Sequence, residues 1–154
     1  MATSFVPDGF DPPTRLDGDG FWLEPLGPEH NEADHAAWTS SIEHIRATPG
    51  FPQGEWPHEM PLAANFEDLV EHAEDFRERR GFTYTVRSRD DGNVIGCVYI
   101  YPDSDGRTEA HVSSWMRASH AELDVPLVDA VTAWLARDWP FGHVRYAARP
   151  HISP

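Results

Sequence analysis

The sequence contains no lysine. All 12 of its basic residues are arginine, set against 26 acidic ones, and the formal net charge is −14 at neutral pH. A surface of that sign repels nucleic acid and anionic lipid and draws in cations, besides keeping the chain soluble, so neither nucleic acid nor a membrane is expected as a partner. Cysteine is nearly absent. With Cys97 alone, no disulfide can close within the chain and no thiolate zinc site can be assembled. Because Cys97 lies inside the apolar run from Val94 to Tyr101, a buried, inert thiol is expected there. Long apolar runs are missing too, and none approaches the length of about 18 residues that a membrane span needs. The first residues carry Asp8 and Asp11, where a signal peptide would need a basic and then an apolar segment, so a cytoplasmic location is expected. Nine histidines are present, but the nearest approach to a metal motif is His30, Asp34 and His35, whose histidine pair diverges on a helix. No metal is expected.

What is present argues for one folded unit. A chain of 154 residues, 40% hydrophobic, with six Trp and eight Phe, is long enough for one core and too short for two ordinary domains. Residues 1–20 are rich in Pro, Gly and Asp, without periodicity. They read as an arm pinned by Phe5, Val6 and Phe10. A single domain is expected over 21–148, with 149–154 as a tail.

Along the domain, Phe21 to Leu26 reads as a short strand, and Pro28 opens a helix to about Arg46 with Trp38, Ile42 and Ile45 on one face. Residues 47–64 form the longest loop. With Phe51, Trp56 and Met60 it is too apolar for a solvated linker and reads as a flap over a groove or as a loop packing its own aromatics. Asn65 is the expected cap of a second helix, with Asp68 reciprocating and Phe66, Leu69, Val70, Ala73 and Phe76 as its apolar stripe; Gly81 is its expected end. Phe82 to Arg89 and Val94 to Tyr101 then read as antiparallel strands joined at Asp90 to Asn93.

The most structured stretch is 109–136. His111, Ser113 and Trp115 alternate with Val112, Ser114 and Met116, which is the pattern of a strand. Leu127, Val128, Val131, Trp134 and Leu135 then recur at helical spacing. Two caps are available at the helix start: Ser119 with Glu122, and Asp124 ahead of Pro126. A strand running straight into a helix offers unpaired N–H groups and the positive end of a dipole, which together suit an anion. A break at Trp139-Pro140 and a last short strand at 143–148 follow.

This order, β-α-α-β-β-β-α-β, resembles the GNAT superfamily of acyl-coenzyme A N-acyltransferases. The fold it implies is α/β, a GNAT-like mixed central sheet of five strands flanked by helices, with the meander antiparallel and the final strand parallel to the one at 109–118. Val94-Ile95-Gly96 looks like the entry to that family's third strand. Residues 112–135 take the place of its cofactor strand and helix, so the resemblance implies acetyl-coenzyme A as cosubstrate. Its pantetheine arm would lie along the backbone of Trp115 and Met116, and its pyrophosphate on the loop Arg117, Ala118, Ser119, His120, Ala121 and Glu122. His120 and Glu122 stand where the family places glycine.

For catalysis the resemblance implies a base on the strand before that loop, for which Glu109 and His111 are the candidates, and a hydroxyl acid, for which Tyr99 or Tyr101 could serve. An imidazole suits a base near neutrality, whereas a carboxylate needs burial to do so. Two functions follow: N-acetyl transfer to a small cationic primary amine, or a GNAT-shaped binding module that has lost the cofactor. The short C-terminus would leave 143–148 as a sheet edge, to be covered by the arm, the tail or a second subunit of a homodimer.

Overall fold

The computed structural model describes residues 5–51, 56–103 and 109–149. Among the described residues six strands form one sheet in sequence order: β1 (Leu16–Asp17), β2 (Phe21–Pro25), β3 (Phe82–Ser88), β4 (Val94–Pro102), β5 (Ala110–Met116) and β6 (Val144–Tyr146). Every neighbouring pair is antiparallel except β5 and β6, which run parallel. The crossover between those two is helix α4 (Asp124–Asp138), the connection that parallel pairing demands. Helices α1 (Asn31–Thr39), α2 (Ile42–Arg46) and α3 (Leu62–Arg77) lie between β2 and β3 in sequence. Among the described residues no helix is long and apolar enough to cross a membrane.

The sheet separates two apolar layers. Phe21, Leu23, Phe82, Tyr84, Ile95, Val98, Ile100, Val112 and Met116 meet Leu127, Val131, Trp134 and Leu135 of α4, with Trp139 just after it. On the other face Val94, Cys97 and Trp115 meet Trp38, Ile45 and Leu69 of the three helices. Strand β4 changes phase between Ile95 and Cys97, where the β3–β4 register shifts beside Val86 and Arg87. That bulge aims Cys97 and Tyr99 at the helices α1 and α3. Gly96 sits at the same place because β5 approaches closely there: a Cβ would come 2.6 Å from the Trp115 carbonyl.

Several expected boundaries moved, each for a local reason. Five strands were expected and six form, because the arm contributes β1, two residues long and too short to show periodicity. Phe5 stacks on Phe82 and Phe141 at 5.9 and 5.1 Å, and Val6 is 1% exposed, so the arm is anchored. The single helix expected over 28–46 is a 3₁₀ turn, α1 and α2. It breaks at Ser40 and Ser41, where Thr39 and Ser40 hydroxyls donate back to the carbonyls of His35 and Ala37, an alternative that competes with the helix ladder. Helix α3 starts after Pro61, not at Asn65.

Asn65 is instead buried, accepting from Trp38 Nε1 at 3.1 Å and donating to Asn31 and Asp34. The inward stripe of α3 therefore includes Asn65, Leu69 and His72, while Phe66 is 46% exposed. The left-handed residue that ends α3 is Arg79, at φ 64, not Gly81. Gly81 has a different task, since a Cβ there would collide with the Tyr101 ring.

Candidate functional site

The phase of β4 and the polar stripe of α3 together enclose a cavity of about 270 Å³ between sheet and helices. Tyr99 of β4 and Ser113 of β5 lie on the sheet side, Asp34 on α1, Asn65, Asp68 and His72 on α3, with Phe51 and Trp56 as aromatic walls. These rings are packed edge to face: Phe51 and Trp56 each lie 6.4 Å from Tyr99, tilted by 68° and 78°. Trp115 supports them from beneath, donating through Nε1 to the Tyr99 hydroxyl at 3.0 Å. The described parts of the expected flap thus supply Phe51 and Trp56; residues 52–55 fall outside the described residues.

The titratable groups of the cavity are shifted by burial. Asp34 is 4% exposed. Among the described residues Asn65 Nδ2, at 3.2 Å, is the only hydrogen-bond donor to its carboxylate. Desolvation pushes its pKa up to about 6, opposed by the Asn65 bond and by His30 and His35, and aided by Asp68. His72 Nδ1 lies 3.0 Å from both the Thr83 and the Tyr101 hydroxyls. Burial lowers its pKa, against the pull of Asp75, Asp68 and Glu71, so the ring is neutral at physiological pH. Burial raises the Tyr99 phenol well above its ordinary value and keeps it protonated.

Beside this cavity the last two strands part. The parallel ladder pairs Ala110, His111 and Val112 with Val144, Arg145 and Tyr146 and then stops. Into the opening comes Arg149, only 5% exposed. Its Nη2 donates to the Ser114 carbonyl at 2.9 Å, its Nη1 to the carbonyls of Pro49 and Ala147, and its Nε to Asp124 Oδ2 at 2.6 Å. Tyr146 and Ser114 join by their hydroxyls at 2.5 Å, and Gly50 lies against Ala147 and Ser113.

The expected site residues are distributed unevenly. Tyr99 lines the cavity, whereas Glu109 and His111 are exposed and are not among its walls. The Glu109 carboxylate accepts from the Gly142 N–H, at the far end of β5. Arg117 N–H bonds the Ile95 carbonyl at 2.7 Å. Since bonded pairs alternate along an antiparallel ladder, the Trp115 backbone also faces β4, while Ser114 and Met116 face the opening.

Ala118 to Leu123 form a 3₁₀ turn, with His120 outside helical geometry at φ −127 and ψ 30. Within it the Ala118 N–H donates to Ser41 Oγ and the His120 N–H to the Arg117 carbonyl. Ser119 bonds His120 Nδ1 and makes no capping box with Glu122. Ala121 and Glu122 are exposed, and α4 begins at Asp124 with Leu123 in the cap position, so neither Ser119 nor Asp124 caps it. Among the described residues no group of three His, Cys, Asp or Glu is placed to hold a metal ion.

Sequence reasoning missed Asp34, Asp68, His72 and Arg149. Of the three on helices only His72 carried a signal, because it recurs at helical spacing with Asn65 and Leu69. For Arg149 there was none.

No family model matches the chain, and no curated protein matches it. Solved structures do. The ribosomal-protein-S5-alanine acetyltransferase from Vibrio fischeri superposes with a TM-score of 0.61 at 11% identity, over 80% of this chain and 67% of that one. The microcin C7 self-immunity acetyltransferase MccE, solved with acetyl-CoA and AMP, gives 0.62 at 13%, over 81% and 66%. Mycobacterium smegmatis RimJ, solved with CoA-disulfide, gives 0.65 at 13%, over 84% and 63%. The chain spans about two thirds of the length of these proteins, and at such identities the likeness is one of fold. The mixed sheet, its parallel last pair and these superpositions together show that the chain has the fold of the GNAT acyltransferases.

Proposed function

We propose that the protein is an acyl-coenzyme A dependent N-acetyltransferase acting on a small cationic primary amine. The observation that carries this reading is the adjacency of two spaces at Ser113: the opening between β5 and β6, which ends its ladder at Val112 and Tyr146, and the cavity behind Tyr99. A donor lying along β5 and an amine in the cavity would meet there. Two of the similar structures were solved with acetyl-CoA or CoA-disulfide, which supports the donor. One is named for a ribosomal-protein substrate; the small volume of the aromatic-walled cavity here, about 270 Å³, favours a small acceptor.

The fit to the donor has one condition. Ser114 and Met116 present backbone groups to the opening, and Arg117 is near the helix start, but Arg149 occupies the Ser114 carbonyl and must withdraw. Acetyl-coenzyme A would supply the thioester; the amine nitrogen attacks its carbonyl carbon, the C–S bond breaks, and the nitrogen loses a proton. His72, neutral and in the cavity, is our candidate to take that proton. Tyr99, whose hydroxyl lies in the same cavity, is our candidate to give one to the departing sulfur. Glu109 and His111 remain the alternative bases, with Glu109 already engaged by Gly142.

Release of free thiol from acetyl-coenzyme A in the presence of a panel of primary amines tests the reading. Amine-dependent thiol release upholds it; none with any amine, together with no calorimetric binding of acetyl-coenzyme A to wild type or Arg149→Ala, overturns it. The second reading, a binding module without cofactor, is favoured by one observation: Arg149 and Asp124 already fill the opening with a paired charge.

A further inference from the structure

The acidic and aromatic walls of the cavity impose more than the acyl-transfer reading requires. A carboxylate buried to 4% exposure with a single hydrogen-bond donor is an incomplete arrangement, since an ionised carboxylate has about four lone-pair sites to satisfy. Asp34 is also one of the cavity's lining residues. A second carboxylate, Asp68, lines the same space, and no arginine is among its described lining residues. Three of the other walls are aromatic. Phe51, Trp56 and Tyr99 offer π-electron faces and edges, and a cation beside such rings is attracted by their quadrupoles. Two carboxylates, one of them buried with one donor among the described residues, beside aromatic walls and with no arginine among the described lining residues, point to one ligand chemistry: an ammonium on an apolar body.

Chemistry then restricts which nitrogen that is. A nitrogen held between Asp34 and Asp68 is stabilised in its protonated form, and a protonated amine has no lone pair with which to attack a carbonyl carbon. The nitrogen recognised there is therefore the poorer nucleophile, and a second nitrogen beyond the two carboxylates is the better one.

We infer that the cavity bounded by Asp34, Asp68, Trp56 and Tyr99 is a recognition site for an organic cation, and that an acceptor bound there carries a second basic nitrogen, which is the one acylated. The cation site stands on the cavity alone. The second nitrogen rests on the acetyltransferase reading.

Calorimetric titration without acetyl-coenzyme A, using 1,4-diaminobutane, butylamine and 1-butanol as probes, separates the two. Both amines are expected to bind and the alcohol to give no heat. Asp34→Asn should weaken the amines about tenfold, the worth of one charge-assisted contact. Asp34 is buried, so its variant could fail to fold, as a melting curve would reveal. Asp68→Asn and Trp56→Leu then carry the test, each weakening both amines at least about threefold, or roughly half a contact of that kind. Absence of heat with either amine, or affinities unchanged in the variants that fold, overturns the cation site. With acetyl-coenzyme A added, acetylation of the diamine but not of butylamine upholds the second nitrogen, and equal turnover of both overturns it. Binding of both amines with turnover of neither upholds the cation site and removes the transferase reading.

Discussion

Arg149 reaches back across the end of the sheet to Ser114, its Nη2 2.9 Å from the Ser114 carbonyl oxygen, at the point where β6 would have continued the ladder. Its Nε is held by Asp124, the first residue of α4. One side chain thus satisfies a strand carbonyl and neutralises a carboxylate at a helix N-terminus.

Arg149→Ala is expected to move two measurements in opposite directions. Losing the partner of a mostly buried carboxylate should lower stability by about 2 kcal/mol, below the usual cost of breaking a fully buried pair because Asp124 is a fifth exposed. If the opening is the cofactor path, affinity for acetyl-coenzyme A should rise in the same variant. Calorimetry and thermal melting read both. A fall in stability with no gain in affinity would leave Arg149 as a structural tie.

Glu122 and Arg117 should act on that affinity with opposite sign. Glu122 is exposed on the 3₁₀ turn and has no capping contact to turn it aside, so Glu122→Gln should strengthen acetyl-coenzyme A binding roughly threefold, in line with about 0.5–1 kcal/mol for a charge at a helix N-terminus. Arg117→Ala should weaken it by a similar factor. Both differences should shrink as salt rises, because exposed charges are screened.

Asp34 should make the empty protein less stable as pH rises. Its carboxyl holds a proton more tightly in the folded state, with a pKa of about 6 against 3.8 as the reference. Between those values the native chain binds more protons than the unfolded one, so its contribution is present at low pH and is lost as pH rises through about 6. The loss is on the order of 3 kcal/mol at most. Around Asp34 lie His30 and His35, which favour its charge, Asp68, which opposes it, and Cys97 and Tyr99, whose ionisation it discourages. Melting temperatures of Asp34→Asn should overtake those of wild type between about pH 4 and about pH 6. Parallel curves across that interval would refute the assignment.

His72→Gln should lower kcat of amine acetylation by about a hundredfold, the low end of what a general base contributes, with the fold retained. His111→Gln should leave it within about threefold, because His111 is outside the cavity lining. The reverse outcome would return the base to β5.

Much of the architecture was legible because it is written in short-range pattern. The alternation of Val112, Ser114 and Met116 against His111, Ser113 and Trp115 placed β5, and the spacing of Leu127, Val131 and Trp134 placed α4. The parallel pairing of β5 with β6 followed from that intervening helix. The candidate site was less legible. Tyr99 was named as a hydroxyl of interest, but the bulge that turns it toward α3 is hidden in an unbroken apolar run from Val94 to Tyr101. Asn65 reads as a cap in sequence, and only its bonds to Trp38 and Asp34 show it to be a buried spacer.

The sequence by itself determined composition-level and periodic properties: an excess of negative charge, a single cysteine, the succession of elements from β3 to β6 and the strand-to-helix junction at Arg117. These follow from residue types and from spacings of two or about 3.6 residues, which need no knowledge of distant neighbours. Tertiary structure decided which polar groups share a cavity and which group fills the opening beside it. Asp34, Asp68 and Tyr99 are brought together from three elements, and Arg149 lies 35 residues from the Ser114 carbonyl it holds. Contacts of that range depend on how helices seat on a sheet, and no local periodicity encodes them.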